Sequence, residues 1–439
     1  MTDTFSQHRA LCIIILMCLL MCLSVRQSLA QDSIQISSQV INNQSQRQPD
    51  IELNSPTETP LNKPSGSMLF FYRLGRIIET FLMKGIDSTY LQLYNRSWKL
   101  AFTTNVTGIH SKLNLSNLPY YSETGALTQY DEVIKLQSAP SVGMGFAAAW
   151  HTIQFNYSWD ILYRRSSKLD FAILNRAWGI EFMRHVYTNI YGPISDAQSD
   201  NYPIQKGDMQ VATSFLSAYF IFNSEKYSTY SALRQSYIQK KSAGSLYLQA
   251  QYLGSHITAL NPELIERMNY LNDIELHQAA ISAGYGYNYT PNQGKFLLHI
   301  SAAPMAILFN RTILTYTYSF INEETKQEDS FKINKIIAPK HWFYLTGTAR
   351  VAFSWDINEW CYLAGNAQFY NLRFNSVKDD DLQMKINTWE WNANLSFGAR
   401  FGFSRKKMRK VLEQYDAEKA LNPGKGDILD WVEKLINKH

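Results

Sequence analysis

An alternation of apolar and polar residues runs, with interruptions, from Trp98 to Phe403 and constrains the fold of this chain more than any other feature. Successive side chains of a β-strand point to opposite faces, so the pattern predicts strands with one apolar and one polar face. We count about twelve such runs, most of them near the roughly 10 residues that a tilted strand needs to cross a bilayer. The clearest runs are 98–107, 141–150, 152–159, 278–289 and 389–403.

The composition favours a membrane barrel over other β proteins. Aromatic residues make up 14% of the chain and charged residues 18%, against about 25% charged residues in soluble domains. Hydrocarbon offers no hydrogen-bond partner to an unpaired backbone N–H or C=O group, so strands that cross a bilayer must pair with each other in a closed barrel. We therefore predict an all-β fold, a transmembrane antiparallel β-barrel of about 12 strands over residues 95–403. A soluble β-sandwich or β-solenoid also alternates and is the alternative, but strands this long and aromatic are unusual there.

The chain ends carry different patterns. Residues 1–30 resemble a secretory signal peptide, with an apolar run too short to span a bilayer and Ser28-Leu29-Ala30 before the expected cleavage site; a signal anchor is the alternative. Residues 31–67 contain no aromatic residue and predict a disordered leader. Residues 68–94 predict a short amphipathic segment, and residues 404–439 a helical tail that lies in the periplasm if the strand number is even. No later apolar run is long enough for a transmembrane helix.

No motif indicates catalysis, a cofactor or a metal, so we expect a protein that is not an enzyme. The histidines occur singly, and His151 and His299 are conceivable bases without a local serine motif. The net charge of +5 is too small to predict a nucleic-acid partner. Lys240, Lys241 and Arg400 are candidate cations of the barrel rim or lumen, which would attract anions or lipopolysaccharide. A solvated loop is the alternative for the two lysines.

Four segments carry a resemblance to a known family: Lys84–Tyr90, Ser141–Trp150, Tyr219–Asn223 and Gln239–Ser245. They resemble the domain of unknown function 4421 family, which is found in exported proteins of Bacteroidetes. The family usually has arginines where this chain has Lys240 and Lys241, and the resemblance extends from about Met68 to Phe403. It implies an outer-membrane-type barrel and no particular activity.

These observations lead to one main functional hypothesis and two alternatives. The protein is expected in the cell outer membrane of a Gram-negative bacterium, in contact with its lipid, as a non-enzymatic pore or envelope structural protein. The first alternative is a membrane-embedded enzyme that modifies lipid. The second is a barrel that anchors a periplasmic protein partner through residues 404–439.

Overall fold

A computed structural model provides the coordinates. It describes residues 66–121, 127–139, 141–163, 166–196, 202–291, 293–321, 328–337, 344–375, 383–402, 404–421 and 429–430. The predicted signal peptide and nearly all of the predicted leader lie outside the described residues, as do the tail residues 422–428 and 431–439.

Twelve antiparallel strands form a closed ring, which confirms the predicted barrel. The last strand of the ring pairs with the first, from Phe401 opposite Trp98 to Gln383 opposite Ser116, so the ring has no free edge. The ring strands are β2 (Trp98–Tyr121), β4 (Ser141–Trp150), β5 (Ile153–Asp160), β6 (Ser167–Leu174), β7 (Trp178–Tyr187), β10 (Met209–Ile221), β12 (Ala243–Ala259), β13 (Leu271–Tyr289), β14 (Phe296–Ile321), β16 (Tyr344–Asp356), β17 (Cys361–Asn375) and β18 (Gln383–Phe401).

Six further strands and four helices of the described residues are not members of the ring. They are α1 (Gly66–Met83), β1 (Leu91–Leu93), β3 (Leu127–Ser138), β8 (Ile190–Asp196), β9 (Tyr202–Ile204), α2 (Thr229–Arg234), β11 (Tyr237–Gln239), α3 (Pro262–Arg267), β15 (Glu328–Ile337) and α4 (Arg405–Leu421). Strand β3 pairs with β2 and β8, β9 pairs with β8, β15 pairs with β14, and β1 pairs with β11 as a separate two-stranded sheet. In the part of the chain that the structure describes, no helix is long and apolar enough to cross a membrane.

The chain divides into two compact units. One comprises residues 73–401 and 425–439 and contains the barrel; the other comprises residues 1–72 and 402–424 and contains α4. In α4 the Ser404 hydroxyl accepts a hydrogen bond from the Lys407 backbone N–H at 3.3 Å, as an N-cap does. In the described part of the predicted helical tail, α4 begins at Arg405 and ends at Leu421.

The two ends of the barrel differ. We call the end at which β2 begins and β18 ends the proximal end, and the opposite end the distal end. Three proximal connections are short, at residues 151–152, 175–177 and 357–360, whereas several strands extend far at the distal end. Residues 109–121, 127–138 and 309–321 lie in strands at this distal end.

The outer face carries an apolar belt next to the proximal end. On β13 the outward side chains run from Tyr289 through Tyr285 and Ile281 to Ala279, a length that matches the ~25 Å apolar band of outer-membrane barrels. Tryptophans mark both borders of the belt: Trp98 stacks on Trp150 proximally, and Trp389 is exposed distally.

Distal to the belt the apolar side of the strands changes from outward to inward. On β2, Leu100 and Phe102 face outward, whereas Leu113 and Leu115 are buried inside and Lys112 is exposed. The same change occurs on β13 and β18. Beyond the belt the outside of the wall is therefore polar, and the inside forms an apolar core.

Candidate functional site

The connection between β10 and β12, residues 222–242, folds into the lumen, and we call it the plug loop. It starts at the proximal end and contains α2 and β11. All six residues of α2 are buried. The helix contacts β13, β14, β16 and β17, which follow its anchoring strand β12 around the ring in this order. The loop therefore crosses the interior of the barrel.

A buried lysine of the wall holds the end of α2. The Lys99 ammonium donates hydrogen bonds to the carbonyl oxygens of Arg234 and Gln235, at 2.6 and 3.0 Å. These carbonyls lie at the helix C-terminus, where backbone acceptors lack helical partners and a positive charge is favourable. Lys99 thus fixes the plug loop to β2.

The side chain of Arg234 joins the plug loop to carboxylates of the wall. Its guanidinium nitrogens lie 3.6 Å from Glu181 Oε1 and 4.0 Å from Asp170 Oδ2. A second arginine, Arg350, donates to Glu181 Oε2 at 3.3 Å, and the Tyr219 hydroxyl donates to the same oxygen at 2.6 Å. Glu181 is the shared anion between two buried guanidinium groups, and Asp170 supplies a second negative charge beside Arg234.

Two wall glycines provide the space for plug tyrosines. A Cβ atom at Gly179 would collide with the hydroxyl of Tyr230, and one at Gly286 with the hydroxyl of Tyr227. Both tyrosines are almost fully buried. The absence of a side chain at these two positions is therefore required by the close approach of the plug loop.

A second polar layer lies nearer the distal end. His185 Nδ1 is 2.6 Å from Glu390 Oε1, and the Tyr187 hydroxyl donates to the same oxygen at 2.9 Å. Beside it Phe215 stacks on Tyr370, with ring centroids 4.8 Å apart. These side chains come from β7, β10, β17 and β18, so they meet across the lumen.

The distal part of the lumen is filled by the apolar core. It includes Leu113 and Leu115 of β2, Leu276 of β13, Phe374 of β17 and Ile386 of β18. A cavity of about 20 Å³ lies against this core, lined by apolar side chains and by five polar ones, Ser111, Thr213, Ser255, Gln278 and Thr388. A cavity of this volume holds about one water molecule and no organic solute.

The three cations expected from the sequence occupy different places. Lys240 is half-buried and donates to the Ser88 carbonyl at 3.0 Å, and Lys241 is exposed beside the ring of Tyr90. Both lie next to the proximal two-stranded sheet of β1 and β11. Arg400 is buried and pairs with Asp356 at 2.6 Å, between the rings of Tyr94 and Tyr362. Attraction of anions by Lys240 and Lys241 stays a prediction.

Two of the segments that resemble the family meet beside the plug loop. The Lys240 backbone N–H donates to the Tyr90 carbonyl at 2.7 Å, and the Asp87 N–H donates to Glu225 of the plug loop at 3.1 Å. Hydrogen bonds from the hydroxyl and backbone N–H of Thr89 hold the pKa of Asp87 below its usual value. Segments 84–90 and 239–245 thus form one structural unit.

Of the two candidate bases, His299 has the partners that nucleophilic catalysis needs. His299 Nε2 lies 3.0 Å from the Ser301 hydroxyl, and its Nδ1 lies 2.8 Å from Asn288 Oδ1. His299 and Ser301 lie on the same strand, but Asn288 belongs to the neighbouring strand, so the three residues form no motif along the sequence. The three side chains are buried and face the lumen, and the Asn288 amide also donates to the Ser228 carbonyl of the plug loop at 2.8 Å. His151 lies 3.8 Å from Glu79.

A family model matches most of the chain. Residues 85–403 match the family described as "Domain of unknown function (DUF4421)". No curated protein matches the chain.

Similar solved structures include three bacterial membrane proteins. The outer membrane protease OmpT of Escherichia coli is 7% identical, with a TM-score of 0.30 over 71% of this chain and 98% of that chain. The outer membrane protein OprG of Pseudomonas aeruginosa is 8% identical, with a TM-score of 0.27 over 70% and 98%. The toluene transporter TodX of Pseudomonas putida is 8% identical, with a TM-score of 0.22 over 70% and 90%. Likeness at this level transfers no function.

Proposed function

We propose that this chain, which belongs to the DUF4421 family, is a non-enzymatic outer-membrane barrel. Its lumen is closed by its own plug loop, so the protein acts as an envelope structural protein and not as a constitutive pore. The observation that carries the proposal is the buried path of residues 227–237 across the lumen. An open channel needs a continuous water-filled path through the barrel. The plug loop, the charged layer and the apolar core obstruct that path one after another.

The outer face supports a membrane location. Many large apolar side chains of the belt are exposed, among them Phe146, Leu246, Ile300 and Phe397. A soluble protein rarely exposes an apolar surface this continuous, because each exposed group costs hydration free energy. Lipid hydrocarbon is the environment in which the belt is favourable, and closed barrels are the β-structures that hydrocarbon admits.

The orientation follows from the two ends. Outer-membrane barrels have short turns on the periplasmic side and long extensions outside. We therefore assign the proximal end to the periplasm. In that orientation β18 ends on the periplasmic side, and we propose that residues 404–439 bind a periplasmic protein. Loss of the co-purifying protein on deletion of residues 404–439 tests this part.

Conductance measurements test the closed lumen. Purified protein in planar bilayers should show no steady conductance. In a variant in which residues 224–241 are replaced by a short Gly-Ser linker, the apolar core still fills the distal lumen but loses the plug loop beneath it, so this variant should show brief openings and no steady current. The matched control is Glu225→Gln, at an exposed plug-loop side chain, which should stay closed. Because the deletion can fail to fold, the double variant Tyr230→Ala/Arg234→Ala serves as the second test; it should conduct intermittently.

Two results would overturn the proposal. Steady conductance of the unmodified protein would mean that the lumen is open. Folded deletion and double variants that both stay closed would mean that the wall residues, and not the plug loop, close the lumen. Heat-dependent migration in gel electrophoresis reports folding of each variant.

A lipid-modifying enzyme is the second candidate, and the contacts of Ser301 with His299 and Asn288 favour it. A serine, a base and an orienting group in this order can activate the serine hydroxyl for attack on an ester. A fluorophosphonate probe would label Ser301 if the site reacts, and Ser301→Ala would abolish the label. No label, in the unmodified protein or in the plug-loop deletion, would leave the three residues as a hydrogen-bonded anchor of the plug loop.

A further inference from the structure

Two histidines and two carboxylates converge on the outer wall just distal to the apolar belt. His256 lies on β12, and Asp273, Glu275 and His277 lie at alternate positions of the paired strand β13. His256 is directly opposite Glu275 in the strand register. Alternate residues of a strand share a face, so all four side chains project to the same side of the wall. Their height places them beyond Ala279, at the border of the belt.

The donor atoms of His256, Asp273 and Glu275 are close together, and His277 contacts the second carboxylate oxygen of Glu275. His256 Nδ1 is 3.9 Å from Asp273 Oδ2 and 4.0 Å from Glu275 Oε1. His277 Nε2 is 3.5 Å from Glu275 Oε2. The ligand atoms of His256, Asp273 and Glu275 all lie within 4.8 Å of one another.

Neighbouring groups orient two of the four side chains. The Tyr252 hydroxyl lies 2.8 Å from His277 Nδ1, which turns Nε2 toward the cluster. The Thr258 hydroxyl donates to Asp273 Oδ1 at 2.7 Å and leaves Oδ2 directed at His256. Histidines and carboxylates that bind metals characteristically have such a hydrogen bond on their second polar atom.

We propose that His256, Asp273, Glu275 and His277 form a binding site for one divalent transition-metal ion of the zinc type, which ties β12 to β13 on the outer face. Two imidazoles with two carboxylates suit Zn²⁺, whereas Mg²⁺ and Ca²⁺ prefer oxygen ligands alone. Tetrahedral Zn²⁺ at about 2.0–2.1 Å from each donor requires donors about 3.3 Å apart. The three histidine–carboxylate separations exceed this value by less than 1 Å, and the ligand atoms of His256, Asp273 and Glu275 lie within 4.8 Å of one another. Side-chain rotations of the carboxylates and of His277 would bring the four donors onto one ion.

Exposure of the cluster allows both entry of an ion and this adjustment. The His256 side chain is 48% exposed, and Asp273, Glu275 and His277 are 17%, 29% and 24% exposed. The sequence contains no metal motif here because His256 and the segment 273–277 are separated by a distal loop and meet only through strand pairing.

Calorimetric titration of the full protein, without a polyhistidine tag and after removal of metals with a chelator, tests the site. ZnCl₂ should bind with one ion per chain, and MgCl₂ should bind far more weakly. His256→Ala and His277→Ala should each weaken Zn²⁺ binding by at least about tenfold, and Thr258→Val by up to about tenfold. Co²⁺ in the same site should give a tetrahedral d–d spectrum without a sulfur-to-cobalt charge-transfer band, which excludes cysteine ligands.

The matched control is His110→Ala. His110 is an exposed histidine on the outer face of β2, also beyond the belt, so it reports adventitious imidazole binding. The proposal holds if His110→Ala binds Zn²⁺ like the unmodified protein while the two site variants do not. Equal Zn²⁺ binding in all three variants, no Zn²⁺ binding in the folded protein, or tighter Mg²⁺ than Zn²⁺ binding would each overturn it. None of these results depends on whether the lumen conducts.

Discussion

Glu181→Gln should destabilise the folded barrel strongly although it changes neither the size nor the hydrogen-bonding oxygen of the side chain. In the structure Glu181 is the anion between Arg350, at 3.3 Å, and Arg234, at 3.6 Å, and all three side chains are buried. The amide can still accept a hydrogen bond from Tyr219 but cannot compensate the two guanidinium charges. Removing one partner of a buried ion pair costs about 3–5 kcal/mol because the other charge stays buried.

The assay is equilibrium urea unfolding of the protein folded into lipid vesicles, followed by tryptophan fluorescence. A loss of about 3–5 kcal/mol lowers the folding equilibrium constant about a hundredfold to a few thousandfold. Glu359→Gln, at an exposed turn, is the matched control and should change stability by less than about 0.5 kcal/mol.

The double variant Glu181→Gln/Arg350→Gln separates charge from packing. If the cost comes from an uncompensated charge, removing Arg350 as well restores about 1–3 kcal/mol relative to the sum of the two single variants. A Glu181→Gln cost below about 1 kcal/mol would refute the reasoning, because surface ion pairs contribute that little. Simple additivity of the two single variants would refute it as well.

Three further substitutions test the plug loop and the polar layer on its distal side. Gly286→Ala should displace Tyr227 and speed proteolysis within residues 222–242, as seen by mass spectrometry, whereas Gly347→Ala, whose Cβ meets only one atom at 3.5 Å, should not. Lys99→Met should remove both hydrogen bonds to the end of α2 and produce brief channel openings in planar bilayers; a barrel as silent as the unmodified one would contradict the role of Lys99. Phe215→Ala should remove the stack on Tyr370 and cost about 3–5 kcal/mol in urea unfolding, and a loss under about 1 kcal/mol would mean that the layer is loosely packed.

The barrel could be predicted because lipid imposes a simple pattern on the strands. Within the belt, outward positions such as Leu100 and Phe102 are apolar, while inward positions such as Lys99 and Asn105 are polar. This alternation depends on each strand alone, so the sequence contains it. The ring of twelve strands then follows from the requirement that no edge stays unpaired in hydrocarbon.

The position of the plug loop and its buried polar contacts could not be predicted, because they depend on contacts between distant segments. Arg234 is an ordinary loop arginine in the sequence and becomes a buried partner of Glu181 only after the loop enters the lumen. Likewise, Ser301 and His299 stand two positions apart on β14, but Asn288 reaches His299 only through the pairing of β13 with β14. The spacing of residues along the sequence does not indicate which side chains from different segments will meet in the folded barrel.

The distal strand extensions were missed for a different reason, which also bears on function. The clearest run on the first ring strand is assigned to residues 98–107, but the strand continues to Tyr121, because alternation persists there with its apolar side reversed. Ile109 and Leu113 face inward where Leu100 and Phe102 face outward. A reversal of this kind needs water outside the wall and an apolar interior, since apolar side chains are stable only away from water. The point of reversal on each strand therefore marks the border of the lipid, and the apolar core beyond it closes the distal lumen.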